Sequence, residues 1–183
     1  MATCAKCGNN IGFLSRTYSC VYCGRTLCSN CKEVLKFPTG KICNIYELLD
    51  LPYADIITRE PPLISTRKDV SCKVCYYKFL SEVNKIKNAI SSCKKIELLP
   101  ATYRGKRKTI GEGKFLESLW HEDWADCDEE LGAQAIYLGY DCVMNIEKER
   151  DTVTYEETKD NGKGTYTRSY TVWKKSGYAY KLK

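Results

Sequence analysis

Apolar positions follow different rules on either side of Lys95. Before it, the longest periodic stretch runs from Tyr76 to about Ser92. There Phe79, Val83, Ile86 and Ile90 recur at steps of three or four, with Lys85 and Lys87 between them. That spacing predicts an amphipathic helix over residues 76–92. A shorter helical pattern at Ile45, Leu48 and Leu49 is stopped by Pro52, and Pro61-Pro62 marks an extended turn. The remainder of this half is loop-rich. After Lys95, Ile96–Leu99 reads as a strand, and residues 115–131 read as a helix ending at Gly132. Ala135–Leu138 and Asp141–Thr158 follow as strands, then a turn at Asp160-Asn161-Gly162-Lys163-Gly164. Tyr166–Trp173 alternates cleanly, and Ser176-Gly177 is expected to turn the chain into a last strand, Tyr178–Leu182. The pattern predicts an α+β protein of two small domains, residues 1–93 and 95–183, the second an antiparallel sheet packed on a helix.

Composition narrows the picture. The chain has 183 residues, 43% apolar, and no run approaching the roughly 18 apolar residues of a membrane span. A globular, soluble protein is expected. Its fourteen tyrosines suit strands and half-buried surfaces better than a large dry core. The formal charge of +6 belongs wholly to residues 1–93, which carry thirteen Lys/Arg against seven Asp/Glu.

Cysteine spacing carries the chemistry. Eight of the twelve cysteines form four Cys-x-x-Cys pairs: Cys4/Cys7, Cys20/Cys23, Cys28/Cys31 and Cys72/Cys75. Zinc takes four thiolate or imidazole ligands in a tetrahedron, and two intervening residues let one tight turn aim both sulfurs at one ion. Two Zn2+ ions per chain are therefore expected. Met1-Ala2-Thr3 runs into Cys4 without an apolar stretch, so an intracellular, cytoplasmic chain is expected, where thiols meet metal rather than form disulfides. A redox Cys-x-x-Cys would need one pair beside a βαβ pattern, not four in loops. Eight thiolate charges against four on two zinc ions would leave the first half at +2. A nucleic-acid partner is not expected from so weak a charge.

The order of the pairs adds a resemblance. Twelve residues separate the first two pairs, four separate the second and third, and Gly24 follows the fourth ligand. Together with Cys72-Lys73-Val74-Cys75-Tyr76 leading into a helix, residues 4–93 resemble the FYVE zinc finger. The resemblance implies a cross-brace, with Cys4, Cys7, Cys28 and Cys31 on one zinc and Cys20, Cys23, Cys72 and Cys75 on the other. It also implies a membrane-inserting turn at Phe13-Leu14 and a basic lipid pocket, of which Arg16 alone matches the family pattern. Phe13 and Leu14 could instead cover the zinc core or meet a protein partner. An insert over residues 42–64 exceeds the family length.

Leu131-Gly132-Ala133-Gln134-Ala135-Ile136, followed by long strands, resembles the YbjQ-like family, which implies a homo-oligomer. Gly132 would then cap the helix in a left-handed conformation. Cys43, Cys93, Cys127 and Cys142 are single thiols outside the metal sets, and His121 reads as a surface or capping residue. The acids Glu122, Asp123, Asp126, Asp128, Glu129 and Glu130 read as a solvated helix face. No phosphate loop, nucleophile elbow or histidine pair is present, so an enzyme is not expected. The reading is a zinc-binding interaction or adaptor protein with a protein partner. Its alternatives are a peripheral protein of anionic or phosphoinositide membranes and a RING-like ubiquitin ligase.

Overall fold

A computed structural model of the chain describes residues 2–36, 38, 40–52, 54, 69–158 and 164–183. The Pro61-Pro62 turn, most of the 42–64 insert after Pro52, and residues 160–163 of the predicted turn lie outside the described residues. The elements are mixed helices and mainly antiparallel strands, an α+β protein. The chain divides into two compact units, Met1–Lys85 and Ile86–Lys183. No helix among the described residues is long and apolar enough to cross a membrane.

The first unit is built from strands of two or three residues. β1 (Ala2–Thr3) pairs with β2 (Asn10–Ile11), β3 (Tyr18–Ser19) with β4 (Thr26–Leu27), and β5 (Lys32–Val34) with β6 (Val70–Cys72), all antiparallel. Helix α1 (Lys41–Leu48) buries Ile45 and Tyr46. Among the described residues, cysteines form much of two small apolar clusters, Cys4, Ile11 and Cys31 in one and Cys20, Leu27 and Cys72 in the other, and Leu35, Ile45, Tyr46, Val70, Phe79 and Val83 are buried as well. The loops that meet in these two clusters bring together thiols distant in sequence, which metal binding would tie to one another.

Helix α2 (Lys73–Ser92) starts three residues before the pattern suggested, because Cys75 already lies in its first turn. Phe79, Val83, Ile86 and Ala89 are buried on one face, and the boundary between the units falls inside the helix.

The second unit follows a 3-10 turn at Cys93–Lys95. It contains β7 (Glu97–Pro100), β8 (Thr109–Glu117), α3 (Trp124–Leu138), β9 (Cys142–Thr158) and β10 (Thr165–Leu182), with sheet order β7-β9-β10-β8. Leu116, Leu131, Ala135, Val143 and Ala179 form its core between α3 and the sheet. At about 1.5–3 kcal/mol for each fully buried large aliphatic side chain, this unit has a conventional hydrophobic source of stability.

Several expectations are corrected here. Residues 115–117 belong to strand β8, not to a helix, with Phe115 stacked edge-on against Tyr178 across the β8–β10 pair at 5.5 Å between ring centres. Gly113 in that strand lies under the ring of Tyr180, where a Cβ would approach to 2.4 Å. The predicted strand at residues 135–138 is instead the last turn of α3, since Cys127, Leu131 and Ala135 continue one buried stripe at steps of four. Gly132 does not end the helix. It lies inside α3, where an added Cβ would meet the Cys93 carbonyl oxygen at 2.9 Å, and the left-handed cap is Gly139 at φ 79°.

The predicted turn at Ser176-Gly177 is also absent. β10 runs straight through it, and the β9 side absorbs an extra residue in a bulge near Asn145, whose φ is 55°. Gly177 leaves room for Val143 and Met144, which a Cβ would meet at 2.9–3.0 Å. Finally, the sheet is not wholly antiparallel, because β7 pairs parallel to β9 at the edge.

Candidate metal centre

Local backbone chemistry aims the first two cysteine pairs. In the segment starting at Cys4, the Cys4 N–H donates to the Asn9 carbonyl and the Gly8 N–H donates to the Cys4 carbonyl, both at 2.9 Å. The segment starting at Cys20 repeats this pattern, with Cys20 N–H to the Arg25 carbonyl at 2.9 Å and Gly24 N–H to the Cys20 carbonyl at 2.8 Å. Both turns close on a glycine with positive φ, 71° at Gly8 and 68° at Gly24, where any side chain would be strained. The sequence signal for both is Cys-x-x-Cys-Gly.

The other two pairs come from different elements. Cys31 N–H donates to the Cys28 carbonyl at 3.1 Å in a short turn after β4. Cys72 ends β6, and Cys75 follows in α2. The register of β5 on β6 sets Lys32, the residue after Cys31, opposite Cys72, while the Val21 N–H donates to the Val70 carbonyl at 3.0 Å. These contacts interleave the two sites.

Eight thiols thus form two groups, Cys4/Cys7/Cys28/Cys31 and Cys20/Cys23/Cys72/Cys75, with the sulfurs of each within 4.8 Å of one another. Each group could hold a metal ion. The geometry fits zinc: four sulfurs about 2.3 Å from one ion stand about 3.8 Å apart along the tetrahedron edges. Cys23 and Cys72 Sγ lie 3.9 Å apart. All eight are free thiols, so no disulfide competes for them.

The electrostatics point the same way. Backbone N–H groups of Cys7, Cys28 and Lys6 aimed at Cys4 hold its thiol down to about 6, the Cys28 N–H lying 3.4 Å from the sulfur. Burial opposes ionisation of Cys20, yet N–H donors from Cys72, Cys23 and Tyr22 bring it to about 7. The neighbours pay for this in the opposite direction. Hydrogen bonding to Cys28, then burial, pushes Cys31 up to about 12, and burial, then hydrogen bonding to Cys72 and Cys23, pushes Cys75 up strongly. Four thiolates cannot share so small a space unaided, and a divalent cation removes that conflict.

The remaining cysteines stand apart. The Cys127 thiol donates to the Trp173 carbonyl at 3.2 Å and the Cys142 thiol faces the Tyr180 carbonyl at 3.8 Å; burial pushes both pKa values up. His121 and Cys127 do not form a metal group among the described residues. Instead His121 Nε2 lies 2.9 Å from Glu130 Oε2, and Glu130 is fully buried on α3. Asp128 meets the buried Lys175 at 2.6 Å. The acidic face is therefore only partly solvated: Asp123 caps the helix by accepting the Ala125 N–H, while Asp128 and Glu130 turn inward.

Phe13 and Leu14 stand at the tip of a turn closed by Ser15 N–H to the Gly12 carbonyl at 2.8 Å, and each is 97% exposed. Neither covers the zinc core. Ile11, two residues before the tip, fills that position beside Cys4 and Cys31. Arg16 is exposed next to them in sequence. A basic residue that the sequence reading missed lies close by: Lys32 Nζ stands 3.5 Å over the Tyr18 ring. Lys32, then Arg16, lowers the Tyr18 hydroxyl pKa against the opposing effect of burial. Its only sequence signal is its place directly after the sixth cysteine ligand. Compared with protein-family models, curated proteins and solved structures, the chain matches none of them, so its own residues carry the functional case.

Proposed function

We propose that the first unit is a two-zinc, FYVE-like module that docks on anionic membrane surfaces, and that the second is a YbjQ-like unit that assembles copies of the chain. The observation that carries the reading is the full exposure of two adjacent large apolar side chains, Phe13 and Leu14, on a short hydrogen-bonded turn. Two adjacent large apolar side chains stand in water only at a cost, which burial in lipid or in a partner recovers. Arg16 and Lys32 supply cations that both act on Tyr18, in the β3 strand that follows the turn in sequence.

Magnitudes then set the mode of binding. Full burial of Phe13 and Leu14 contributes about 1.5–3 kcal/mol each, and each cation near an anionic leaflet adds about 1 kcal/mol. A single copy is held only briefly, and several linked copies are held much longer. With one arginine matching the family's pocket, the module reads general negative charge and not the position of one phosphate.

Vesicle flotation tests the reading. Zinc-loaded protein should float with phosphatidylserine vesicles, less at high salt, and equally with vesicles bearing a 3-phosphate or a 5-phosphate inositol lipid. Phe13→Asp with Leu14→Asp should abolish flotation at unchanged zinc content. Binding that survives this double change, or that selects the 3-phosphate lipid through Arg16, contradicts it.

A further inference from the structure

A groove of about 360 Å3 runs along the first unit beside both cysteine groups, away from the Phe13-Leu14 turn in sequence and using neither residue. Val74 and Tyr77 give it exposed apolar lining above Leu27, while Lys6, Arg25 and Lys73 supply three cations, and Ala5 and the paired thiol Cys72 complete the lining, with no carboxylate among them. Leu27 is fully buried at its base, whereas Val74 and Tyr77 are 60% and 57% exposed on α2.

Both metal sites hold its walls. Lys6 lies between Cys4 and Cys7, and its neighbour Ala5, also lining the groove, donates its N–H to the Thr26 carbonyl at 2.9 Å. Arg25 closes the second knuckle through its carbonyl, and Lys73 directly follows Cys72. A groove fixed by two metal sites is ordered before any ligand arrives, which lowers the entropy cost of binding.

We propose that this groove binds a short acidic peptide segment carrying one large apolar side chain. Lys6, Arg25 and Lys73 are exposed whereas the lining thiol Cys72 is buried, so the cations face an incoming ligand and select an anionic one by charge complementarity. The apolar lining selects a hydrophobic anchor between the negative charges. A lipid headgroup would set its most hydrated atoms against Val74 and Tyr77, so the same groove suits it poorly. At roughly 300 Å3 and upward, such a space accommodates a large side chain with its flanking backbone.

The test uses the full-length, zinc-loaded chain and fluorescent peptides read by anisotropy. A short peptide of glutamates around one central tryptophan should bind, and should bind less tightly as salt rises. Replacing its glutamates by lysines, or its tryptophan by serine, should weaken binding at least about tenfold. On the protein side, Arg25→Glu with Lys73→Glu should weaken binding by a similar factor while two zinc ions are retained. Tyr77→Ser, on an exposed position of α2 two residues after Cys75, gives a second variant that leaves every cysteine in place and is used with its two zinc ions confirmed; it should weaken the tryptophan peptide more than the serine peptide. Equal binding of the lysine peptide, or unchanged affinity in both protein variants, overturns the proposal. Loss of phosphatidylserine vesicle flotation in Arg25→Glu with Lys73→Glu, with peptide affinity unchanged, overturns it in favour of a lipid surface.

Discussion

Glu130 concentrates the energetics of the second unit in one carboxylate. It is buried, stands 2.9 Å from His121 Nε2, and accepts the Leu119 N–H at 3.0 Å. Removing one partner from such an arrangement leaves the others unsatisfied in a low dielectric. Glu130→Ala should therefore destabilise this unit by about 3 kcal/mol, seen as a lower urea midpoint with no loss of zinc. A midpoint within error of the parent would show that His121 and Leu119 find water instead. Cys127 and Cys142 make a second residue-scale prediction. Burial raises both thiol pKa values, so little thiolate exists near pH 8 and alkylation of the native chain should spare both sites. Mass spectrometry should find them modified only after unfolding. Little of this was visible in the sequence, because Glu130 reads like any acid on a helix until the fold brings His121 and Leu119 to it. The eight paired cysteines were visible because their spacing is itself local geometry.

Helix α3 and strand β10 set the limits of pattern reading at the scale of elements. A Leu-Gly-Ala sequence suggests a helix end, yet Gly132 is there to let α3 approach the backbone of Cys93, a tertiary contact that no local pattern encodes. Gly139, five residues from Gln134, performs the capping that Gly132 was expected to perform. The two glycines therefore predict different responses. Gly132→Val should overpack the α3 contact and cost about 1–3 kcal/mol or more, whereas Gly139→Ala should cost about 1 kcal/mol through its positive φ. Thermal melts of the two variants check the order, and a larger loss at Gly139 would contradict it. Ser176-Gly177 misled in the same way, since a bulge opposite a glycine and a turn around one share a composition. By contrast, α2 was legible because its apolar steps of three and four persist over most of its length.

At the scale of the whole molecule, both units bury apolar side chains, and the first adds two groups of four cysteines. The second has a hydrophobic core of Leu116, Leu131, Ala135, Val143 and Ala179. A fragment of residues 86–183 should fold without metal, keep its melting temperature in a chelator, and self-associate in sedimentation; a monomer at high concentration would remove the assembly role. Among its described residues the first unit has strands of three residues or fewer, two clusters centred on cysteines, and further buried side chains at Leu35, Ile45, Tyr46, Val70, Phe79 and Val83. Structural zinc supplies about 10–16 kcal/mol of apparent binding energy per site near neutral pH, and where ligands from separate loops meet at one ion that energy is folding energy. Cys28→Ser or Cys72→Ser should therefore unfold it, and Cys142→Ser should leave metal content unchanged. The most direct test is native mass spectrometry of the full-length chain, which counts bound metal and lost protons together. Two zinc ions with all eight paired cysteines deprotonated is the predicted mass, and one zinc, or the mass of disulfide-bonded pairs without metal, would contradict the cross-brace.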